Sequence, residues 1–201
     1  MSAANLSADT RHWRAEILHT PQVLSVGTFE LRPAVEDDVD LLARWMNEPA
    51  VAEFWMLAGP AERTRAHLRA QHATEHATPL VGILSGTPMS YWEVYWADLD
   101  PLSSHYPAQP YDGGVHLLLG PASARGRGLG GILLRNVASR MFAAHPPTMR
   151  VIAEPDVRNV ASVRAFTRAG FHRQADLDLP HKRAALMMRE RPAPVGKEAL
   201  T

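Results

Sequence analysis

The sequence predicts an α/β domain of the α+β kind, with one mixed, mostly antiparallel sheet of about six to seven strands and helices on both faces. Three observations carry this expectation. Residues 80–84, the turn Ser85-Gly86-Thr87-Pro88 and residues 89–96 read as a hairpin. Gly114-Val115-His116-Leu117-Leu118-Leu119 is an apolar run that needs deep burial, and the glycine-rich break at 120–130 feeds it into a helix. From there helix and strand patterns alternate.

In chain order, Thr28-Phe29-Glu30-Leu31-Arg32 alternates as a strand. Residues 34–47 read as an amphipathic helix, with Val39, Leu41, Leu42 and Trp45 toward one side and Pro49 closing it. A second helix, rich in Ala, Arg and Glu, is expected over 60–76, followed by the hairpin and a Pro- and aromatic-rich loop at 98–112. After the buried strand, 132–144 and 160–169 read as helices, and 149–154, 171–176 and 183–188 as strands. Residues 1–25 show no sustained period and 191–201 is broken by Pro192 and Pro194. They are expected as an N-terminal extension and a C-terminal tail around a domain at 26–190.

Composition narrows the function classes. A chain of 201 residues with 46% hydrophobic and 21% charged residues suits one core. Twenty-one basic residues balance twenty-one acidic ones, which gives no global field for nucleic acid or an anionic membrane. Residues 1–14 lack a continuous apolar stretch, so a cytoplasmic location is expected. There is no cysteine, which excludes a thiolate metal site and an acyl-cysteine intermediate. Group transfer would then be direct or use another nucleophile.

The most specific string is Arg125-Gly126-Arg127-Gly128-Leu129-Gly130-Gly131, between a buried strand and a helix. A loop at that place directs unpaired N–H groups outward, and the helix dipole adds about half a positive charge, so a phosphate is stabilised. Glycines allow close approach, and Arg125 and Arg127 are candidates for charge-assisted bonds to a pyrophosphate. The alternative is a flexible glycine-rich connection. No Gly-Lys-Ser/Thr follows, so this is not a triphosphate loop, and the antiparallel strands before it do not suit a dinucleotide fingerprint.

The spacing Arg125, Gly128, Gly130 resembles the acyl-CoA pyrophosphate motif of the GNAT superfamily, and Asn159 followed by an apolar helix ending in Ala169-Gly170-Phe171 resembles its second landmark. Within that superfamily several strings resemble the siderophore branch, which includes hydroxylysine and lysine acyltransferases. They are Trp45-Met46-Asn47 with Trp55, Tyr91-Trp92-Glu93-Val94-Tyr95-Trp96, Asp100-Pro101 with His105-Tyr106, Tyr111-Asp112-Gly113-Gly114-Val115-His116, Glu154-Pro155-Asp156-Val157-Arg158-Asn159 and Leu179-Pro180-His181-Lys182-Arg183. The resemblance implies a sheet splayed at its centre and an acyl donor, acetyl-CoA or another acyl-CoA. It also implies an amine or hydroxylamine as the small-molecule acceptor, and no metal. Residues 125–130 with Leu117, Leu119, Asn159 and Ser162 would hold the donor.

The resemblance marks His116 as catalytic or substrate-contacting, where a neutral imidazole could take a proton or orient an amine; read alone, a histidine in an apolar strand is more often a hydrogen-bonded core residue. Glu154, at the end of the adjacent strand, is the candidate base or cation anchor, and Asp156 competes with it. Many GNAT enzymes carry a Tyr seven residues after the Asn; here Phe166 stands there, which removes a general acid and leans toward an N-hydroxylated acceptor. Glu93, among aromatics, is a candidate for the acceptor's α-ammonium, on one face with Tyr91 and Tyr95. His105 and Tyr106 are candidates for its carboxylate or hydroxyl end, with a solvated loop as the alternative. Trp55 and Trp45 could line the pocket or bury area; packing is favoured for Trp45. His181-Lys182-Arg183 reads as a solvated cluster or one facing the CoA 3′-phosphate.

Other readings stay open at this level. His72-Ala73-Thr74-Glu75-His76 has a zinc-peptidase spacing, but it falls at a helix end before Pro79. An aminoglycoside- or protein-N-terminal-type acetyltransferase would prefer a strongly acidic cleft or a peptide groove. An idle CoA-sensing domain would bind the donor without turnover.

Overall fold

The structure, a computed structural model, describes residues 11–193, and in them eight strands form one sheet in the order β1-β2-β3-β4-β5-β6-β8-β7. A one-turn helix α1 (Ala15–Leu18) and β1 (Gln22–Leu24) precede β2 (Gly27–Pro33). Helices α2 (Val39–Met46), α3 (Pro49–Trp55) and α4 (Ala61–Ala73) follow, and then β3 (Ala77–Leu84) and β4 (Thr87–Trp96) pair as the expected hairpin. The second half runs β5 (Gly113–Leu119), α5 (Leu129–Ala144), β6 (Arg150–Ala153), α6 (Val160–Arg168), β7 (His172–Leu179) and β8 (Lys182–Glu190). None of the described helices is long and apolar enough to cross a membrane.

Alternation along β4 divides the core. Trp92 and Val94 face the cluster built with Leu133, Val137 and Met141 of α5 and Phe166 of α6. Tyr91 and Val81 face Val39, Leu42 and Trp45 of α2, Val51 of α3 and Leu68 of α4. Each such apolar side chain, fully buried, is worth about 1.5–3 kcal/mol. Trp45 is a packing residue: a Cβ at Gly120 would stand 2.1 Å from its indole, so only glycine fits beneath it.

Several boundaries differ from the sequence expectation for local reasons. Residues 36–38 form a 3-10 turn ahead of α2, held by the Asp38 carboxylate, which accepts from the Val35 N–H at 2.9 Å and from Arg32. Helix α4 stops at Ala73 and Thr74 is extended, so His72 and His76 do not share a helix. His72 instead bonds the Ala34 carbonyl, and His76 faces Asp100. Residues 11–24, expected to be peripheral, belong to the domain. Trp13 stacks on Trp96 with centroids 4.0 Å apart, Leu18 is buried, and β1 adds an edge strand.

One departure from regular pairing positions the site. β5 is paired along its whole length with β4 but meets β6, its parallel neighbour, only at Gly113↔Val151 and Gly114↔Ile152. Beyond Gly114 the two strands separate. The Gly120 N–H bonds the Met89 carbonyl on the β4 side. Strand alternation then turns the N–H groups of Leu118 and His116 toward β4, and those of Leu117 and Leu119 into the gap.

Candidate active site

The gap between β5 and α6 is a cleft of about 550 Å³, lined by Leu117, Leu119, Gly126, Gly128, Gly130, Asn159 and Ser162 among others. Its floor is the start of α5, which begins at Leu129 rather than Ile132, so Gly130 and Gly131 lie in the first helical turn with N–H groups that have no intrahelical acceptor. Gly126 (φ 74°) and Gly128 (φ 80°) both take left-handed backbone, with open space where a Cβ would stand at Gly126 and an ordinary contact to Arg168 at Gly128. Gly130 is needed for a different reason. A Cβ there would press on the Ala165 methyl at 3.3 Å, so the glycine lets α6 pack against α5. Asn159 caps α6, its side-chain oxygen accepting from the Ser162 N–H at 3.0 Å. Helix N-terminus, glycine loop and unpaired strand edge suit an anionic donor with an amide-bearing arm.

Arg125 lines the cleft with its guanidinium already engaged. Its Nη1 donates to the Gly120 carbonyl at 3.2 Å and its Nη2 to Glu48 Oε2 at 2.8 Å, so it ties the loop to the end of β5 and the start of α3. Arg127 is exposed beside the loop.

A second chamber of about 270 Å³ opens on the other side of the same seam. Phe54, Trp55, Leu117, Asn159, Ser162 and Phe166 line both spaces, so the two meet there. Into the second chamber face His67, Glu93, His116, Glu154, Asp156 and Lys182. They form an ordered chain. His67 Nε2 is 2.6 Å from Glu93 Oε1, Glu93 Oε2 is 2.9 Å from His116 Nδ1, and His116 Nε2 is 2.7 Å from Glu154 Oε1. Lys182 Nζ lies 3.3 Å from the same Glu154 oxygen. Tyr95 donates to Glu154 Oε2 at 3.0 Å, and Tyr91 to Glu93 Oε1 at 3.1 Å.

These neighbours set the charges. Burial disfavours a charged His116, but the Glu154 carboxylate, its hydrogen bond and Glu93 outweigh it and raise the imidazole to about 10. Burial likewise works against an ionised Glu93, and the bonds from His116 and His67 hold it at about 2. Glu154 is buried too, yet the charge and hydrogen bond of His116, with Lys182 and Tyr95, keep it well below the usual carboxylate range. The resting His116 is therefore an imidazolium donating to a carboxylate at each nitrogen. The neutral imidazole expected from the sequence is corrected by these two anions.

Comparison with known proteins places this geometry. The acetyltransferase (GNAT) domain family matches residues 34–179. The chain belongs to the GNAT family. It is 38% identical over 164 residues to the lysine N-acyltransferase MbtK of Mycobacterium tuberculosis, covering 82% of this chain and 78% of that protein. It is 35% identical to the N(6)-hydroxylysine O-acetyltransferase of Escherichia coli, covering 86% of this chain and 55% of the relative. Among solved structures, an aminoglycoside acetyltransferase AAC(6′)-Ib in complex with coenzyme A superposes with a TM-score of 0.73 at 28% identity, covering 81% of this chain and 95% of that one. The protein is a GNAT N-acyltransferase, and the mixed sheet parted at its centre is the GNAT sheet.

Within the GNAT frame, the structure sorts the residues singled out from the sequence. Leu117, Leu119, Gly126, Leu129, Asn159 and Ser162 come together around the first chamber, and Trp55 lies between the chambers, edge-on to His116 at 6.2 Å. Tyr95 reaches the cluster through Glu154. Glu93 lines the chamber behind His116, and its oxygens already accept three bonds, from His67, Tyr91 and His116. His105 and Tyr106 do not line the chamber. Tyr106 is buried with its hydroxyl on Asp112 at 2.9 Å, because the Asp112–Arg150 pair draws the loop toward β6, and His105 is exposed. Asp156 is held by the Arg158 guanidinium and backbone N–H, so of Glu154 and Asp156 it is Glu154 that meets His116, at Nε2. Lys182 faces the acceptor side and not the CoA cleft. His67 carries no local sequence signal that would single it out.

Proposed function

We propose that this enzyme transfers an acyl group from acyl-CoA to the side-chain nitrogen of an N-hydroxylated basic amino acid, hydroxylysine or hydroxyornithine, giving a hydroxamate of the siderophore type. The observation that supports this most is the junction of the two chambers at Leu117, Asn159, Ser162 and Phe166, with His116 and Glu154 on the acceptor side of it. The names of the two relatives specify lysine and hydroxylysine as acceptors, which supports a basic amino acid, and the second supports its hydroxylated form.

The reaction is read as direct transfer in a ternary complex. The acceptor nitrogen attacks the thioester carbonyl, the C–N bond forms, the C–S bond breaks and CoA leaves as the thiolate. The Leu117 N–H, turned into the gap, is suited to the developing oxyanion. His116, an imidazolium in the resting state, fixes Glu154 in place, and the acidic proton that the nitrogen sheds once the C–N bond has formed passes to the Glu154 carboxylate. A hydroxylamine suits such a weakly basic site because it is largely unprotonated near neutral pH, unlike a lysine amine with a pKa near ~10.4. Phe166, buried at the junction, offers no proton to the leaving thiolate, which departs adequately without one.

In the acceptor chamber Glu93 and Glu154 are already paired with His116 and Lys182, and Asp156 with Arg158, which does not favour a polycationic aminoglycoside. The test is free-thiol release with acetyl-, succinyl-, malonyl- and long-chain-CoA against lysine, N6-hydroxylysine, ornithine and N5-hydroxyornithine. Turnover with the hydroxylated compounds over their parent amines is expected. Turnover with the parent amines alone, or with none, rejects the proposal.

A further inference from the structure

A basic amino acid presents a carboxylate as well as a nucleophile, and the chamber must meet it with a cation that has donors to spare. Three cationic or potentially cationic side chains line the chamber among the described residues: His67, His116 and Lys182. His116 uses both ring nitrogens on Glu93 and Glu154. His67 lies on the far side of Glu93 and uses Nε2 there. Lys182 spends one contact, the long 3.3 Å approach to Glu154, and an ammonium has three donors. Its side chain is 30% exposed, against 8% for Glu154, and lines the chamber.

We infer that Lys182 is the receptor for the acceptor's α-carboxylate, so that the site selects amino acids over the diamines derived from them. This rests on the proposed hydroxylated basic amino acid as acceptor. The distances suit it. A reacting nitrogen within about 3 Å of Glu154 and a carboxylate on the far side of Lys182 are separated by a span that the carbon chain of lysine or ornithine covers. Lys182 is anchored at the first residue of β8, and the bridge Asp156↔Ala184 fixes that strand beside the segment carrying Glu154 and Asp156. The position is therefore built by the sheet and not by a free loop. Asp156 is held chiefly by its bonds to Arg158, with the Lys182 charge acting on it only through space.

The experiment compares each acceptor with its decarboxylated form: N6-hydroxylysine with N-hydroxycadaverine, and N5-hydroxyornithine with N-hydroxyputrescine. Wild-type protein, Lys182→Met and Lys182→Arg are assayed at saturating acyl-CoA, with circular dichroism as the check on folding. In the wild type the KM for the amino acid should lie ~10-fold or more below that for the diamine, as one charge-assisted hydrogen bond implies. Lys182→Met should raise the amino acid's KM by more than the diamine's and so abolish the difference between them, and Lys182→Arg should keep part of it. Equal wild-type KM values overturn the inference whether or not the variants fold. So does a preference that survives Lys182→Met, or a loss equal for both compounds, which is what a mere tether of Glu154 would give. A wild type that acylates neither hydroxylamine fails the proposed function itself, a different result from acylating both alike.

Discussion

Glu93 Oε2 accepts from His116 Nδ1 at 2.9 Å, directly behind the bond that His116 Nε2 makes to Glu154. The imidazole is thus fixed at both nitrogens, and its proton affinity belongs to two carboxylates on different strands. Glu93→Gln removes one negative charge and keeps an acceptor of the same shape. The imidazole pKa should fall from about 10, and the alkaline limb of the pH profile for acceptor kcat/KM, where the imidazolium is lost, should move down with it. NMR titration of the ring checks the shift directly; an unmoved His116 resonance would show that Glu93 acts only in packing.

The same pair gives stability a pH dependence. His116 has a folded value raised from 6.5 to about 10, so its contribution is complete below about 6.5 and is lost as pH rises through about 10. Glu93, lowered from 4.5 to about 2, contributes above about 4.5 and loses its share as pH falls toward 2. The difference in Tm between wild type and His116→Gln should therefore be largest near pH 5–6 and shrink toward pH 10. A difference that grows with pH would contradict the imidazolium.

His116→Ala and Glu154→Gln should each lower acceptor kcat/KM and leave acyl-CoA affinity near wild type, because both lie in the second chamber. General-base help is worth ~10²–10⁴ in rate. A lysine amine, which must shed a proton first, should lose toward the upper end, and a hydroxylamine toward the lower end or less. Steady-state kinetics with both acceptors over about pH 6–9 measures this. Wild-type rates in both folded variants would leave positioning at the thioester as the whole mechanism.

Gly128→Ala and Gly130→Val separate two uses of glycine in one loop. At Gly128 the backbone is left-handed (φ 80°) and a Cβ would meet only an ordinary contact to Arg168, so alanine costs about 1–2 kcal/mol of local strain and shifts the N–H groups that would meet a phosphate. Acyl-CoA affinity should fall with a small loss of Tm. Gly130→Val pushes α6 from α5 and should lower Tm more than it lowers affinity per degree lost. Calorimetry of CoA binding beside thermal melts distinguishes them.

Asn159→Ala removes the cap of α6 and should cost about 1 kcal/mol, or about 2–4 °C in Tm for a domain of this size. Since Asn159 lines both chambers, KM should rise for donor and acceptor together. A change in only one would place it at that chamber alone.

Much of this is readable in the chain because it is local. The buried strand 114–119, its glycine exit and the Asn159 cap are each specified within about ten residues, and side-chain alternation correctly sets Tyr91, Glu93 and Tyr95 on one face. What escapes is nonlocal. His67 sits on a helix of weak amphipathy, and only the lie of α4 over β4 brings it to Glu93, 26 residues on. Arg125 reads as a phosphate ligand until Glu48, 77 residues away, claims it. Tyr106 reads as a loop residue free to bind until Asp112 and Arg150 gather it in. The charge of His116 depends on carboxylates from β4 and from the end of β6 at once, and no window along the sequence contains both.

The parting of β5 from β6 after two residue pairs has a consequence for motion as well as for binding. Strands β1–β5 and β6–β8 are two plates joined by a short seam at Gly113 and Gly114. Opening there breaks few hydrogen bonds, so the plates can flex against each other without unfolding. Alternate amides along β5 report on it. Those of His116 and Leu118 are locked on β4 and should exchange with deuterated solvent slowly, while those of Leu117 and Leu119, turned into the gap, should exchange fast and slow down only when the gap is filled. A loaded enzyme would thus carry a two-residue ripple of protection along one strand, a signature of occupancy readable without any turnover.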